Sequence, residues 1–367
     1  MANWDVIVVG LGAMGSSALY QLSRRGLRVL GIEAFEPGHQ LGSSHGESRI
    51  IRLAYHEHPS YVPLLHRAYA LWSEIEQESG AHLLTITGGL MIGPPSSELV
   101  SGALASAKVH GLEHEVLSAA EVRRRYPAFN PTEDEVALFE PKSGFLRPER
   151  CIDTFVQLAQ RHGAQVRYGE AVRGWSAHEV RTATETYGAE HVVFTCGARM
   201  SKVLGDRIPP VMAERAVLFW IQPAASFDGV PVYLWETSHQ QVFYGFPHVD
   251  WPGAKVAMHH SGEVCDPDAV DRAVYPRDEA VLREAITRPL PALGGRVVKS
   301  MVCLYENSPD RHFMIDQLAD SIVYAAGFSG HGFKFASVVG EILADLVTTG
   351  RATPDADFLR ARRLARA

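Results

Sequence analysis

The sequence predicts a chain of mixed α/β and α+β character, with a Rossmann-like nucleotide domain interleaved with an antiparallel-sheet domain. Three stretches lead there. Residues 5–9 form an apolar strand that ends on Gly10-Leu11-Gly12-Ala13-Met14-Gly15, continues in helical pattern to Arg25 and stops at Gly26. Residues 322–324 place another apolar run before the turn Gly327-Phe328-Ser329-Gly330-His331-Gly332, with Lys334 at the start of a second helix. Between them, residues 211–299 are rich in short runs of alternating apolar and polar residues.

The N-terminal glycines have distinct tasks. Gly10 allows the tight turn, Gly12 lets the backbone approach a pyrophosphate, and Gly15 lets the helix pack close to the strand. A second apolar strand, residues 28–32, ends on Glu33, where a carboxylate accepts hydrogen bonds from a ribose. The pattern points to a dinucleotide and does not separate FAD from NAD. Residues 61–79 read as a helix, and residues 83–92 begin short alternating runs set apart by Gly and Pro. Residues 99–126 have helical pattern, residues 151–162 read as an amphipathic helix, and residues 191–197 as a buried strand with a glycine stop. Strands are expected at 217–221, 232–235, 241–246 and 254–259. This interleaving predicts a nucleotide domain from residues 1–80, 145–215 and 300–367, and a substrate domain from residues 81–144 and 216–299. A ligand pocket is expected between the two.

Composition narrows the class. The 367 residues suffice for two compact domains, and no segment approaches the length of a membrane span. The first residues lack a basic stretch ahead of a long apolar one, so no secretory signal is expected. The net charge of −7 with interspersed signs gives no nucleic-acid footprint. Cys151, Cys196, Cys265 and Cys303 form no C-x-x-C pair, which argues against structural zinc and fits a reducing, cytoplasmic setting. His56-Glu57-His58 and His259-His260 lack a set of further ligands, so no metal is expected.

The glycine loop, the run from Gly42 to Arg52, the Lys255 region, Cys303-Leu304-Tyr305 and residues 327–334 together resemble the monomeric sarcosine oxidase and N-methyltryptophan oxidase family. The likeness runs in the same order along nearly the whole chain. It implies FAD attached through a cysteine thioether, which would be Cys303, and oxidation of secondary amino acids. It implies that Arg52 and Lys334 hold the substrate carboxylate, that Arg49 and Ser48 lie beside the flavin, and that Lys255 activates O2. Tyr244 and His259 take the family's active-site positions, and Tyr305 is expected as a pocket wall. Ser43, Ser44, His45, Val172, Gly330, His331 and Gly332 carry over as cofactor contacts with Gly10, Gly12, Ala13, Met14, Gly15 and Glu33. The likeness also implies a monomer. Ser48 and Glu306 stand where the family has Thr, and Arg199 where it has Trp. Glu306 is expected to alter the pocket, and Arg199 only packing near the flavin domain.

These residue types suit the chemistry. An alkylamine titrates at about 10 and gives up hydride only when neutral, so a pocket holding Arg49, Arg52, Lys255 and Lys334 is expected to disfavour a further cation. The N–H groups of Gly330 to Gly332, at the start of a helix near Phe335, are expected to face the flavin ring. Other readings stay open at this stage. They are an FAD dehydrogenase with another acceptor, an oxidase of pipecolate, proline or N-methyltryptophan, an NAD enzyme, and a flavin-binding scaffold without turnover. Trp220, Trp235 and Trp251 either line the substrate pocket or sit in the core.

Overall fold

A computed structural model describes residues 4–366. Trp4–Val9 lies between two parallel neighbours, Val29–Ile32 and Thr186–Phe194. Gln165–Arg167 and Ile322–Ala326 extend the parallel set on either side, and Met314–Ala319 closes one edge antiparallel. From Val6 to Val9 the first strand is an unbroken apolar run because both faces are covered there. Val6 and Val8 enter one core with the helices Ala13–Ser23 and Ala336–Thr349, while Ile7 and Val9 enter another with Phe194, Met200 and Tyr324.

The second sheet has nine strands. Its spine runs Met212–Ile221, Ala254–His259, Val242–His248, Val232–Glu236, Gly89–Gly93, Val136–Glu140 and Glu115–Ser118. Alternation sorts its side chains: Tyr233, Trp235 and Phe243 pack into a core capped by the helix Pro276–Ile286, while Leu234 and Tyr244 face the other way. A small sheet of Arg49–Ile51, Gly144–Leu146 and Leu84–Ile86 joins the two halves.

Two expectations need correction. The domain boundaries at 215/216 and 299/300 fall inside Met212–Ile221 and Val297–Asn307, which pair in the large sheet from Met212 opposite Asn307 to Ile221 opposite Val297. A register that continuous does not divide, so Cys303 and Tyr305 stand on the large sheet. The helical stretch expected over 99–126 is two helices, Glu98–His110 and Ala119–Arg125, with the strand Glu115–Ser118 between them. Gly111, at φ +60°, ends the first, and a Ser118–Glu121 capping box begins the second.

The glycine turn after the first strand is sterically exacting. Gly10 adopts φ +88°, and a Cβ on Gly15 would stand 1.8 Å from the Gly10 carbonyl oxygen. Gly15→Ala is therefore expected to lower stability by about 1–3 kcal/mol. The check is a urea titration, in which the midpoint falls while the slope is unchanged.

Candidate active site

A cavity of about 810 Å³ runs between the C-terminal ends of the parallel strands and the inner face of the large sheet. Gly10, Gly12, Ala13, Met14 and Glu33 line one end, together with Ser43, Ser44 and Val172. The helix Ala13–Ser23 starts there with no side-chain cap, so its N-terminal partial charge faces the cavity. Ser44 Oγ accepts from Ala13 N at 3.3 Å. Glu33, nearly buried, accepts from Leu11 N at 2.7 Å and from Phe35 N at 3.2 Å, which holds its carboxylate at the strand end. Gly15 packs beneath the turn and does not line the cavity.

The middle of the cavity gathers cations around a thiol. The Arg49 guanidinium donates to the carbonyls of Ser43 (2.9 Å), His45 (2.5 Å) and Ser48 (2.9 Å), and its Nη2 lies 3.5 Å from Cys303 Sγ. Burial alone would raise the Cys303 pKa, but the charges of His45, Arg49 and Lys255 bring it down to about 6. Lys255 is buried behind Arg49, where Nζ donates to Gly46 O (2.6 Å), Ser48 O (2.7 Å) and Ser48 Oγ (3.3 Å). Its pKa lies well below the usual lysine range, through burial first and Arg49 second. Ser43 Oγ is buried at the cavity wall without a partner, whereas His45, buried with neither ring nitrogen hydrogen-bonded, is not among the residues lining the cavity. Buried polar atoms left open at a cavity wall are what a bound polar ring system would satisfy. With the glycine turn and Glu33 at the other end, these residues fit FAD.

The closed end holds Arg52, Lys334, Tyr244, His259, Tyr305 and His331. Arg52 is 2% exposed; its Nη2 pairs with Glu57 at 2.7 Å and contacts His56 Nδ1 at 2.9 Å. Burial works against the Glu57 carboxylate, yet Arg52, His56, His331 and Lys334 hold its pKa well below the usual carboxylate range. Lys334 Nζ donates to His331 O at 2.5 Å. Burial, reinforced by Arg52, lowers its pKa to about 7. His259 Nδ1 lies 3.1 Å from the Tyr305 hydroxyl, and burial keeps the His259 imidazole neutral. Gly330 and Gly332 border this end as well.

Several sequence expectations change here. The pocket is less cationic than the residue types suggested, because Glu57 neutralises Arg52 while burial depresses Lys255 and Lys334. Glu57 went unrecognised as a site residue, although a carboxylate five positions after a buried arginine was its signal. Glu140 was also missed. It accepts from Leu53 N (2.9 Å) and Ala54 N (2.8 Å), holding the backbone just after Arg52. Of the turn N–H groups expected to face the flavin, that of His331 is used internally by Phe328 O at 3.0 Å, and the 3-10 turn Phe333–Phe335 precedes the helix. None of the three tryptophans lines the cavity. Trp220 bonds Glu47, Trp235 bonds Glu135, and Trp251 is exposed.

Of the three departures from the family pattern, Glu306 and Arg199 border the cavity and Ser48 does not. Glu306 is buried with Oε2 unpartnered, and burial raises its pKa to about 8. Arg199 pairs with Asp268 and lies over the Phe35 ring. Among the described residues no group of His, Cys, Asp and Glu is placed to hold a metal ion, and no helix is long and apolar enough to cross a membrane.

Residues 5–346 match the family described as FAD dependent oxidoreductase. The chain is 45% identical to monomeric sarcosine oxidase of Streptomyces avermitilis, covering 100% of this chain and 99% of that protein. It is 33% identical to N-methyl-L-tryptophan oxidase of Yersinia pestis, over 93% and 94%. Among solved structures, NikD, an unusual amino acid oxidase essential for nikkomycin biosynthesis, superposes with a TM-score of 0.85 at 25% identity, covering 98% and 97% of the chains. L-proline dehydrogenase from P. horikoshii shares the fold with a TM-score of 0.86 at 21% identity, over 100% and 98%. A glycine turn and acidic strand end built for a dinucleotide, a cavity long enough to carry it to a buried thiol, and full-length likeness agree: the chain belongs to the FAD dependent oxidoreductase family.

Proposed function

We propose that this enzyme oxidises secondary, N-methylated amino acids of the sarcosine type, with FAD as cofactor and O2 as acceptor, giving imine or aldehyde, amine and hydrogen peroxide. The observation that carries this reading is the convergence of Arg52 and Lys334 at the closed end of the cavity, beside the Arg49–Cys303 contact. The relatives named for sarcosine and for N-methyl-L-tryptophan support the same substrate class. FAD bound along the cavity would supply the acceptor for two electrons from the substrate C–N bond and the route from there to O2.

The chain's own residues divide the remaining work. Gly10, Gly12, Ala13 and Met14 receive the pyrophosphate at the helix start, and Glu33 receives the ribose. Arg52 and Lys334 grip the substrate carboxylate, where each charge-assisted hydrogen bond contributes about 1.5–3 kcal/mol. The incoming carboxylate takes over part of the Arg52 guanidinium from Glu57. Tyr244, Tyr305 and His259, neutral through burial, form the wall that keeps water from the reacting carbon. Lys255 stabilises the negative charge that O2 acquires on reduction. Cys303 would hold the flavin through a thioether from its Sγ, the lowered pKa keeping a nucleophilic thiolate available beside Arg49. The enzyme works as a monomer in the cytoplasm, where its other three unpaired thiols, Cys151, Cys196 and Cys265, stay reduced.

Sarcosine, N-methyltryptophan, pipecolate and proline, scored by peroxide release, test the substrate class. Peroxide from the N-methyl amino acids is expected, whereas reduction of a dye without peroxide from any of them assigns a dehydrogenase instead. Lys255→Met should leave anaerobic flavin reduction within about twofold and slow reoxidation at least about tenfold, a barrier change of about 1.4 kcal/mol. Stopped flow reads both steps, and unchanged reoxidation removes Lys255 from that role. Because the Cys303 pKa is lowered to about 6, the thiolate dominates above that pH and is lost below it. Flavin attachment to apoprotein should therefore accelerate as pH rises through about 6 and level off above, read as yellow colour retained in an acid-precipitated pellet. Cys303→Ser should give a colourless pellet.

A further inference from the structure

Lys334 is a buried lysine with an incomplete set of partners. It is 5% exposed and lines the cavity, and the one acceptor placed for its Nζ among the described residues is the His331 carbonyl. No carboxylate lies within ion-pair reach of it there, because the nearby Glu57 is engaged by Arg52 and His56. The groups around it leave no spare negative charge. On the segment after Arg52, Tyr55 and His56 are neutral through burial, and Arg52 and Glu57 cancel as a pair. On its own turn His331 is neutral, and across the cavity so are His259 and Tyr305. A charged Lys334 is thus an uncompensated cation until an anion enters. The downward shift of its pKa to about 7, from burial and Arg52, agrees with that geometry.

We infer that Lys334 is the acceptor of the substrate's amine proton, and that accepting it is what turns Lys334 into a carboxylate anchor. This rests on the reading of Arg52 and Lys334 as the carboxylate site. The amino acid enters as a zwitterion. One N–H bond of its ammonium breaks and one N–H bond forms on Lys334 Nζ; no electrons change hands and the total charge of the site is constant. The substrate amine is left with the lone pair that hydride release requires. The lysine becomes the cation that its carboxylate needs. One proton movement serves both, so the pocket can prepare the amine without a carboxylate base. Glu57 does not fill that place, since its pKa is held well below the usual range.

The sign of the linkage makes this measurable. Lys334 is neutral above about 7, and an anion bound beside it raises its pKa, so an anion that brings no proton draws one from solvent. The probes are 2,2-dimethylpropanoate and 2-aminoisobutyrate, which differ by an amino group in place of one methyl and carry no oxidisable C–H next to nitrogen. Each is titrated into the holoenzyme by calorimetry in buffers of different ionisation enthalpy. At about pH 8.5, dimethylpropanoate should take up about one proton per site and aminoisobutyrate about none, because its ammonium supplies the proton. At about pH 6 the uptake with dimethylpropanoate should vanish, Lys334 being already charged. Lys334→Met should abolish it at the higher pH.

Dimethylpropanoate binding without proton uptake overturns the inference. So does uptake that persists in Lys334→Met, which would assign the proton to His56, His259 or His331, and so does equal uptake with the two probes. Should Lys334→Met fail to fold, the comparison of the two probes on the unaltered enzyme decides alone. If neither probe binds or perturbs the flavin spectrum, the carboxylate-site reading itself falls, and this inference with it.

Discussion

Everything at this site depends on how four cations are kept inside a protein. Arg49, Arg52 and Lys334 line one cavity, Lys255 is buried against the carbonyls of Gly46 and Ser48, and an unpaired buried charge costs several kcal/mol. The solution differs for each. Arg49 and Lys255 rest on backbone carbonyls of the 43–48 loop, Arg52 rests on a carboxylate, and Lys334 has a single carbonyl. The order of these arrangements, from fully satisfied to barely satisfied, follows the work proposed for each residue. The group with fewest partners is the one whose charge can change with a ligand.

The 43–57 segment is what makes that possible. It crosses between the two sheets and supplies acceptors to Arg49 and Lys255, then Arg52 itself, then Glu57. Its shape is held from outside. Glu149 accepts from Gly46 N at 2.6 Å, Glu140 from the amides after Arg52, and Glu47, at φ +68°, is tied to Lys299 and to the Trp220 indole. Two carboxylates from distant parts of the chain, Glu149 and Glu140, and the loop's own Glu47 thus brace it. A residue bent into the left-handed region persists where its surroundings over-determine it, and Glu47 has two such partners.

The thiol fits the same electrostatic scheme. His45, Arg49 and Lys255 all lower the Cys303 pKa, and the strand carrying Cys303 belongs to the large sheet rather than to the nucleotide fold. The Cys303 thiol and the Gly10–Gly15 turn are therefore on separate sheets.

Local patterns reported the parts that local physics controls. Gly10 to Gly15 before a helix, Glu33 at a strand end, and alternation through 232–235 and 254–259 are set by backbone sterics and side-chain period, so they read directly from the chain. The helix stop at Gly111 and the capping box at Ser118 were also legible, but the helical pattern on both sides masked them. Residue types at the site were expected from family likeness, and Arg49, Arg52, Lys334 and Cys303 line one cavity. Their charges did not carry over, because burial and long-range pairing set them. Glu57 against Arg52, the open flank of Lys334, the lowered thiol of Cys303 and the unpartnered Glu306 arise only when strands and loops far apart in sequence meet. Sequence alone determined which groups are present; the dielectric and the neighbours that decide their protonation belong to the fold.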